Sequence, residues 1–192
     1  MSAIPAPSRG DTTRARILHA AVQLLSRRGP DGFTASALAT EAGVSKATVF
    51  HHFTTLDDVP LAAFEEILLA GMTRVEDGGS SLEEYLHALS GEMHPIIENE
   101  QFVAAYLALV VKAMGHPPLM HRIRESGEEM HRAMTKALAP RLGSEVDAGV
   151  AANLVEVVLD GLSLHQMVAQ DTDRLERTWR YFVSLLTREQ PR

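Results

Sequence analysis

The chain has no cysteine, one tryptophan among 192 residues, and an aromatic content of only 5%. Without cysteine there is no disulfide framework, no thiolate zinc site and no thiol nucleophile, and the composition suits a reducing compartment. Long apolar runs are missing as well. The longest, Phe102 to Val111, is ten residues, about half of what crosses a bilayer as a helix. The opening segment MSAIPAPSRG has no apolar core of the kind a signal peptide needs. These absences lead to the expectation of a soluble, cytoplasmic protein that does not engage a membrane. Positive charge is also scarce: 18 Lys and Arg stand against 25 Asp and Glu, a net charge of −7. As an average, that balance argues against a nucleic-acid partner.

What is present is apolar residues at helical spacing. A hydrophobic share of 45% with 22% charge is that of a globular chain, and the length allows one large domain or two small ones. Strand-like alternation bounded by hairpin signals is missing, so the expected class is all-α. Pro5 and Pro7, with Ser2, Ser8 and Gly10, predict a flexible arm over residues 1–10. Ile17, Ala20, Ala21, Leu24 and Leu25 then mark one face of a first helix. Asp11 to Thr13 offer its N-cap, and Gly29-Pro30 is expected to end it through a left-handed glycine cap. A second helix opens at Thr34, turns Leu38, Ala39 and Ala42 inward, and stops at Gly43. A third opens at Ser45 and is expected to bury Val49, Phe50 and Phe53.

Longer amphipathic segments follow. One covers about 57–75, with Pro60 tolerable in its first turn if Asp57 is the cap. Gly78-Gly79-Ser80-Ser81 reads as a linker, and further helices are expected near 81–98, 99–114, 117–138, 145–170 and 172–188. The domains expected are an N-terminal one over 11–56 and a C-terminal one over 57–192. Charge divides the same way, with +3 on residues 1–56 and −10 on the remainder. The average hides a basic N-terminal part.

Residues 34–53 meet the demands of a helix-turn-helix. Ala35, Leu38, Ala39 and Ala42 are small enough for a second helix to cross closely, and Gly43 tolerates the positive φ of the turn. Val44 plugs the angle, and Ser45 caps the next helix. That helix would offer Lys46, Ala47, Thr48, His51 and His52 to a major groove.

From Arg14 to Leu61 the order and spacing of residues resemble the DNA-binding head of the TetR family of bacterial transcriptional regulators. The residues that carry the likeness are Ile17-Leu18-His19-Ala20-Ala21, Leu24-Leu25, Gly29, Phe33-Thr34, Leu38-Ala39, Ala42-Gly43-Val44-Ser45 and Phe50-His51-His52-Phe53. The resemblance implies a set of DNA contacts. Thr34 matches a phosphate-holding position and Ser36 one that reaches a base edge, while Ser45 caps the recognition helix. Lys46, Ala47, Thr48 and His51 match the base-reading face, with Lys46 suited to guanine and Ala47 and Thr48 to a thymine methyl. His52 matches a phosphate contact, and the basic Arg9, Arg14 and Arg16 add candidates for backbone or minor groove. Two positions depart from the family: Phe50 stands where Tyr is usual, and Leu56 where Lys is usual. Each missing phosphate contact flattens the salt dependence of binding by about one log–log unit.

The same resemblance implies a helical effector-binding and dimerisation domain, a homodimer matched to a palindromic double-stranded operator, and a small-molecule effector with no cofactor. The expected dimer residues are Val150, Leu154, Val157, Val158, Gly161, Leu162 and His165, with Trp179, Phe182 and Leu186 of the last helix; Leu175 extends that stripe. The alternative is that both stripes are ordinary core, and the two readings can each hold in part. Candidate effector-pocket residues are Met93, His94, Phe102, Tyr106, Met114 and Met134, since methionine-rich walls adapt to varied apolar ligands. They too can be plain core. A rival reading comes from Glu84-x-x-His87 and Glu128-x-x-His131, the spacing used twice in di-iron helical bundles, with Glu98, Glu100 or Glu156 as further ligands. No nucleophile elbow, Walker loop, dinucleotide fingerprint or zincin motif is present, so the chain is expected not to be an enzyme. The leading expectation is a ligand-responsive repressor. A regulator-like protein without DNA binding stays open beside it, on Phe50 and Leu56.

Overall fold

The structure is a computed structural model, and it describes residues 12–76, 79, 81–143 and 146–187. Among these there are nine α-helices and no strand, so the all-α expectation holds. The helices are α1 (Thr13–Arg28), α2 (Ala35–Ala42), α3 (Lys46–His52), α4 (Asp58–Glu76), α5 (Leu82–Ile97), α6 (Glu100–Met114), α7 (Pro117–Leu138), α8 (Ala148–Ala169) and α9 (Thr172–Thr187). The predicted arm over residues 1–10 lies outside the described residues, as does Arg9.

Two compact units share these helices. The first contains the described residues up to Leu68 together with Asn99–Ser126. In it α1 packs on α2 and α6, and α2 on α3. Its core is made by Ile17, Leu18, Ala21, Leu24 and Leu25 of α1 with Leu38, Val49, Val59 and Phe64, all nearly inaccessible to solvent. Burying each Leu, Ile or Val side chain contributes about 1.5–3 kcal/mol. Phe64 meets the rings of Phe102 and Tyr106 edge-on, at 4.6 and 5.2 Å between centroids.

The second unit contains Leu69–Glu98 and the chain from Gly127 onward. Here α5 packs on α8 and α9. Tyr85, Leu86 and Leu89 of α5, Leu138 of α7 and Val155 of α8 are fully buried, with Trp179 and Val183 of α9 beside them at 2% exposure.

Local chemistry accounts for the helix ends. Thr12 caps α1 by accepting from the Ala15 N–H, and Ser81 with Glu84 forms a reciprocal capping box on α5. Asp147 caps α8 by accepting from the N–H groups of Gly149 and Val150. Pro60 falls in the first turn of α4, behind a turn in which Asp58 accepts from the Thr55 N–H at 2.8 Å.

Two local expectations are corrected. Gly29 has φ 63° but ψ −168°, so it ends α1 with a positive φ and not in the left-handed helical region. Phe50 is not buried: it is 48% exposed. Val49 and Phe53, four residues apart, share the inward face of α3, and Phe50 is turned about 100° from Val49 by the helical repeat.

Candidate nucleic-acid interface

The arrangement of α2 and α3 follows from three small features. Thr34 accepts from the Ala37 N–H at 3.1 Å and starts α2. Gly43 sits at φ 63°, ψ 40°, the left-handed conformation that costs a residue with a Cβ about 1–2 kcal/mol. Behind it the Val44 N–H donates to the Ala39 carbonyl at 3.0 Å, closing α2. Ser45 then starts α3, its hydroxyl accepting from the Thr48 N–H at 3.0 Å and sharing a 2.8 Å bond with the Thr48 hydroxyl. Each cap is worth about 1 kcal/mol. With Val49 at 0% and Phe53 at 5% exposure as its anchors, α3 is held by one face.

The opposite face is open. Lys46, Ala47, Phe50, His51 and His52 are exposed and Thr48 is half-buried. Thr34 and Ser36 of the α2 start are exposed too. Lys46 has no ion-pair partner among the described residues. The His51 and His52 rings meet edge-on at 5.3 Å. This small surface combines the Lys46 cation, hydroxyls, a methyl-bearing face and imidazoles, the donor and apolar groups that read base edges and phosphates.

The two arginines expected on DNA are engaged within the head. Arg16, on α1, donates from Nη2 to the carbonyls of Ala42 at 2.8 Å and Gly43 at 3.3 Å. Its guanidinium therefore satisfies the carbonyl end of α2 and the turn, where positive charge also suits the helix dipole. Arg14 lies over the Phe53 ring, 5.4 Å from its centroid, and 3.9 Å from Glu66. Sequence reasoning missed the ion pairs that brace this unit. Arg27 bonds Glu41, Lys112 bonds Asp57 at 2.7 Å, and Arg122 bonds Asp58. The last two join residues 55 and 64 positions apart, beyond the reach of any local pattern.

In the second unit, the expected dimer residues fall into two groups. Val150, Leu154, Val157 and His165 are exposed, and Val158, Gly161 and Leu186 are half-buried. Leu162, Trp179 and Phe182 instead belong to the core of the single chain. Further apolar side chains stand exposed on the same two helices: Leu164 and Val168 on α8, Tyr181 and Leu185 on α9. By length and composition α8 could also cross a membrane, but Glu156 and Asp160 sit in its middle. The Asp160 carboxyl is held above the usual carboxylate range, first by burial and then by the Glu156 charge one turn away.

The expected effector residues are divided. Phe102, Tyr106 and Met114 lie in the first unit; Met93, His94 and Met134 lie in the second. Phe102, Met93 and Met134 are core, the last within 3.7 Å of the Tyr85 hydroxyl. Of the two Glu-x-x-His pairs, Glu84 is used in the α5 capping box, and His87 faces Glu83 at 3.8 Å. His131 bonds Glu156 at 3.0 Å, and Glu128 faces Arg132 at 3.8 Å. Among the described residues no group of three or more His, Asp or Glu could hold a metal ion.

A short helix pair joined through a left-handed glycine, with one face buried and the other open, on a chain whose described residues hold helices and no strand, defines a helix-turn-helix protein. Residues 17–63 match the family model described as bacterial regulatory proteins, tetR family. Residues 83–189, more than half of the chain, match that of the BetI-type transcriptional repressor C-terminal domain. The chain belongs to the TetR family of transcriptional regulators.

Its relatives agree. It is 27% identical, over 85% of its length and 86% of the relative's, to the HTH-type transcriptional repressor AcnR of Corynebacterium diphtheriae. A transcriptional regulator from Rhodococcus sp. Rha1 superposes with a TM-score of 0.69 at 24% identity, over 91% of this chain and 96% of that one. Bacillus subtilis FadR, solved with stearoyl-CoA, has a TM-score of 0.69 at 16% identity, over 92% and 99%. At those identities the two structures share the fold.

Proposed function

We propose that this protein is a homodimeric repressor that binds a palindromic operator through α3 and leaves it when a small molecule binds. The observation that carries the reading is the open face of α3, fixed from behind by Val49, Phe53 and the Gly43 turn. In this reading Lys46 donates to guanine O6 and N7, Ala47 and the Thr48 methyl pack on a thymine methyl, and His51 completes base reading. Thr34, Ser36, His52 and Arg14 hold phosphates or neighbouring edges, while Ser45 orients the helix. Phe50 has no hydroxyl for phosphate, but its exposed ring offers apolar contact to deoxyribose. Arg16 acts through the turn.

Pairing of two chains through the exposed apolar face of α8 and α9 brings two heads to two half-sites, matching protein symmetry to operator symmetry. Release by an effector requires that it bind one conformer better than the other, and affinity for DNA falls by that difference. The stearoyl-CoA in the FadR relative supports a ligand-responsive regulator. Selection of the full-length protein against random duplex oligonucleotides at moderate salt tests the proposal. An enriched inverted repeat is expected; a pool with no enriched sequence overturns it.

A further inference from the structure

The head offers little free positive charge. Of its described arginines, Arg14 lies over the Phe53 ring and 3.9 Å from Glu66, Arg16 holds the Ala42 and Gly43 carbonyls, and Arg27 bonds Glu41. Arg28 stands in the last turn of α1. On α3 the only lysine or arginine is Lys46. That helix ends in His51 and His52, both exposed, their rings edge-on at 5.3 Å. Two adjacent titratable rings thus stand on the face that the operator reading turns to DNA, where His52 meets a phosphate and His51 a base edge.

Histidine is the side chain whose charge ordinarily changes between pH 5 and 8. A phosphate favours the charged ring, because the bond from imidazolium N–H to a phosphate oxygen is charge-assisted. Two imidazoliums whose rings stand 5.3 Å apart repel in the free protein, and a phosphate beside them offsets that repulsion. The acidic groups on neighbouring elements already have cations: Glu41 of α2 has Arg27, Glu66 of α4 has Arg14, and Asp57 and Asp58 have Lys112 and Arg122. Glu65 and His116 line the cavity that His52 shares with Arg14, Asp57, Asp58 and Arg122. A carboxylate and a guanidinium thus face the same space as His52, and a bound phosphate tips that balance toward the charged ring. We propose, resting on the operator reading, that the His51–His52 pair makes operator binding proton-linked, each head taking up about one proton as it docks. The bound state then holds more protons than the free one, so affinity rises as pH falls from about 8 to about 6.5.

The test is the affinity of the full-length protein for the duplex enriched in the selection above, measured at about pH 6.5 and about pH 8 over a range of salt. Binding should be tighter at the lower pH by about ten-fold for each head, hence about 100-fold for two heads on an inverted repeat. The salt slope should be steeper there by about one unit for each head. The double variant His51→Gln, His52→Gln should lose both responses, because glutamine donates a hydrogen bond without titrating. His121→Gln, at an exposed histidine of α7 that faces Glu125, should keep them. The two variants together separate the pair from the general loss of negative charge on acidification. Equal wild-type affinity at both pH values, or a pH response that survives in the double variant, overturns the proposal. Tight binding that ignores pH leaves the operator reading standing, whereas binding at neither pH overturns both.

Discussion

Two exposed surfaces of this chain are built on opposite plans. On α3, seven residues long, Val49 alone is fully buried, Lys46, Ala47, Phe50 and two imidazoles are exposed, and Thr48 is half-buried. On α8, 22 residues long, the outward groups include Val150, Leu154, Val157, Leu164 and Val168. A small, mainly polar face of that kind is stable in water, and in the proposed reading DNA displaces that water. An apolar stripe of the second kind is costly to leave wet, and in the proposed reading a second copy of the chain covers it. Net charge follows the same division, +3 up to residue 56 and −10 beyond it. The overall charge of an acidic protein therefore says little about whether one face of it meets DNA.

The apolar side offers the largest effect. Leu154→Glu with Val157→Glu should convert the protein to a monomer by light scattering. Operator affinity should fall about 100-fold or more, because two half-sites are no longer bound together. A double variant that remains dimeric moves the pairing surface elsewhere. On the polar side, Lys46→Ala and Thr48→Ala should each weaken operator binding about 5- to 100-fold, the worth of one base contact, with the dimer intact.

Arg16→Gln separates touching DNA from shaping what touches it. It should weaken operator binding about ten-fold by loosening the Ala42–Gly43 turn. The slope of log affinity against log salt should stay the same, whereas removal of a group bound to phosphate would flatten it by about one unit. The smallest effect belongs to Asp160→Asn on α8. The folded carboxyl sits above its ordinary value of 3.8, so the fold holds its proton longer than the unfolded chain does. Stability from this group is present below 3.8 and is lost as pH rises toward the raised value. The amide should therefore raise the melting temperature at pH 7 by on the order of 1 °C. The gain should vanish in melts below pH 3.8.

The head was legible because its determinants are local. Thr34, Gly43 and Ser45 act on backbone within four residues, and spacing alone reveals them. The faces were less legible. Val49, Phe50 and Phe53 all look buried by composition, and only the angle between adjacent helical residues separates Phe50 from the other two. Arg16 reads as a DNA contact in sequence because the carbonyls it bonds lie 26 and 27 residues away. Leu162, Trp179 and Phe182 could not be divided from Val150, Leu154 and Val157, since an apolar stripe does not say whether its own chain or a second copy covers it. The methionine wall met the same difficulty: side chains at similar helical spacing went to different units.

If one chain carries a DNA-reading face and a pairing face that work together, footprinting of the full-length protein on its selected operator must show both. Two protected half-sites are expected, their centres about 34–36 Å apart, one turn of duplex. Both should disappear together in the Leu154→Glu, Val157→Glu variant. Protection of a single half-site, or an undiminished footprint from that variant, would contradict the joint action of the two faces.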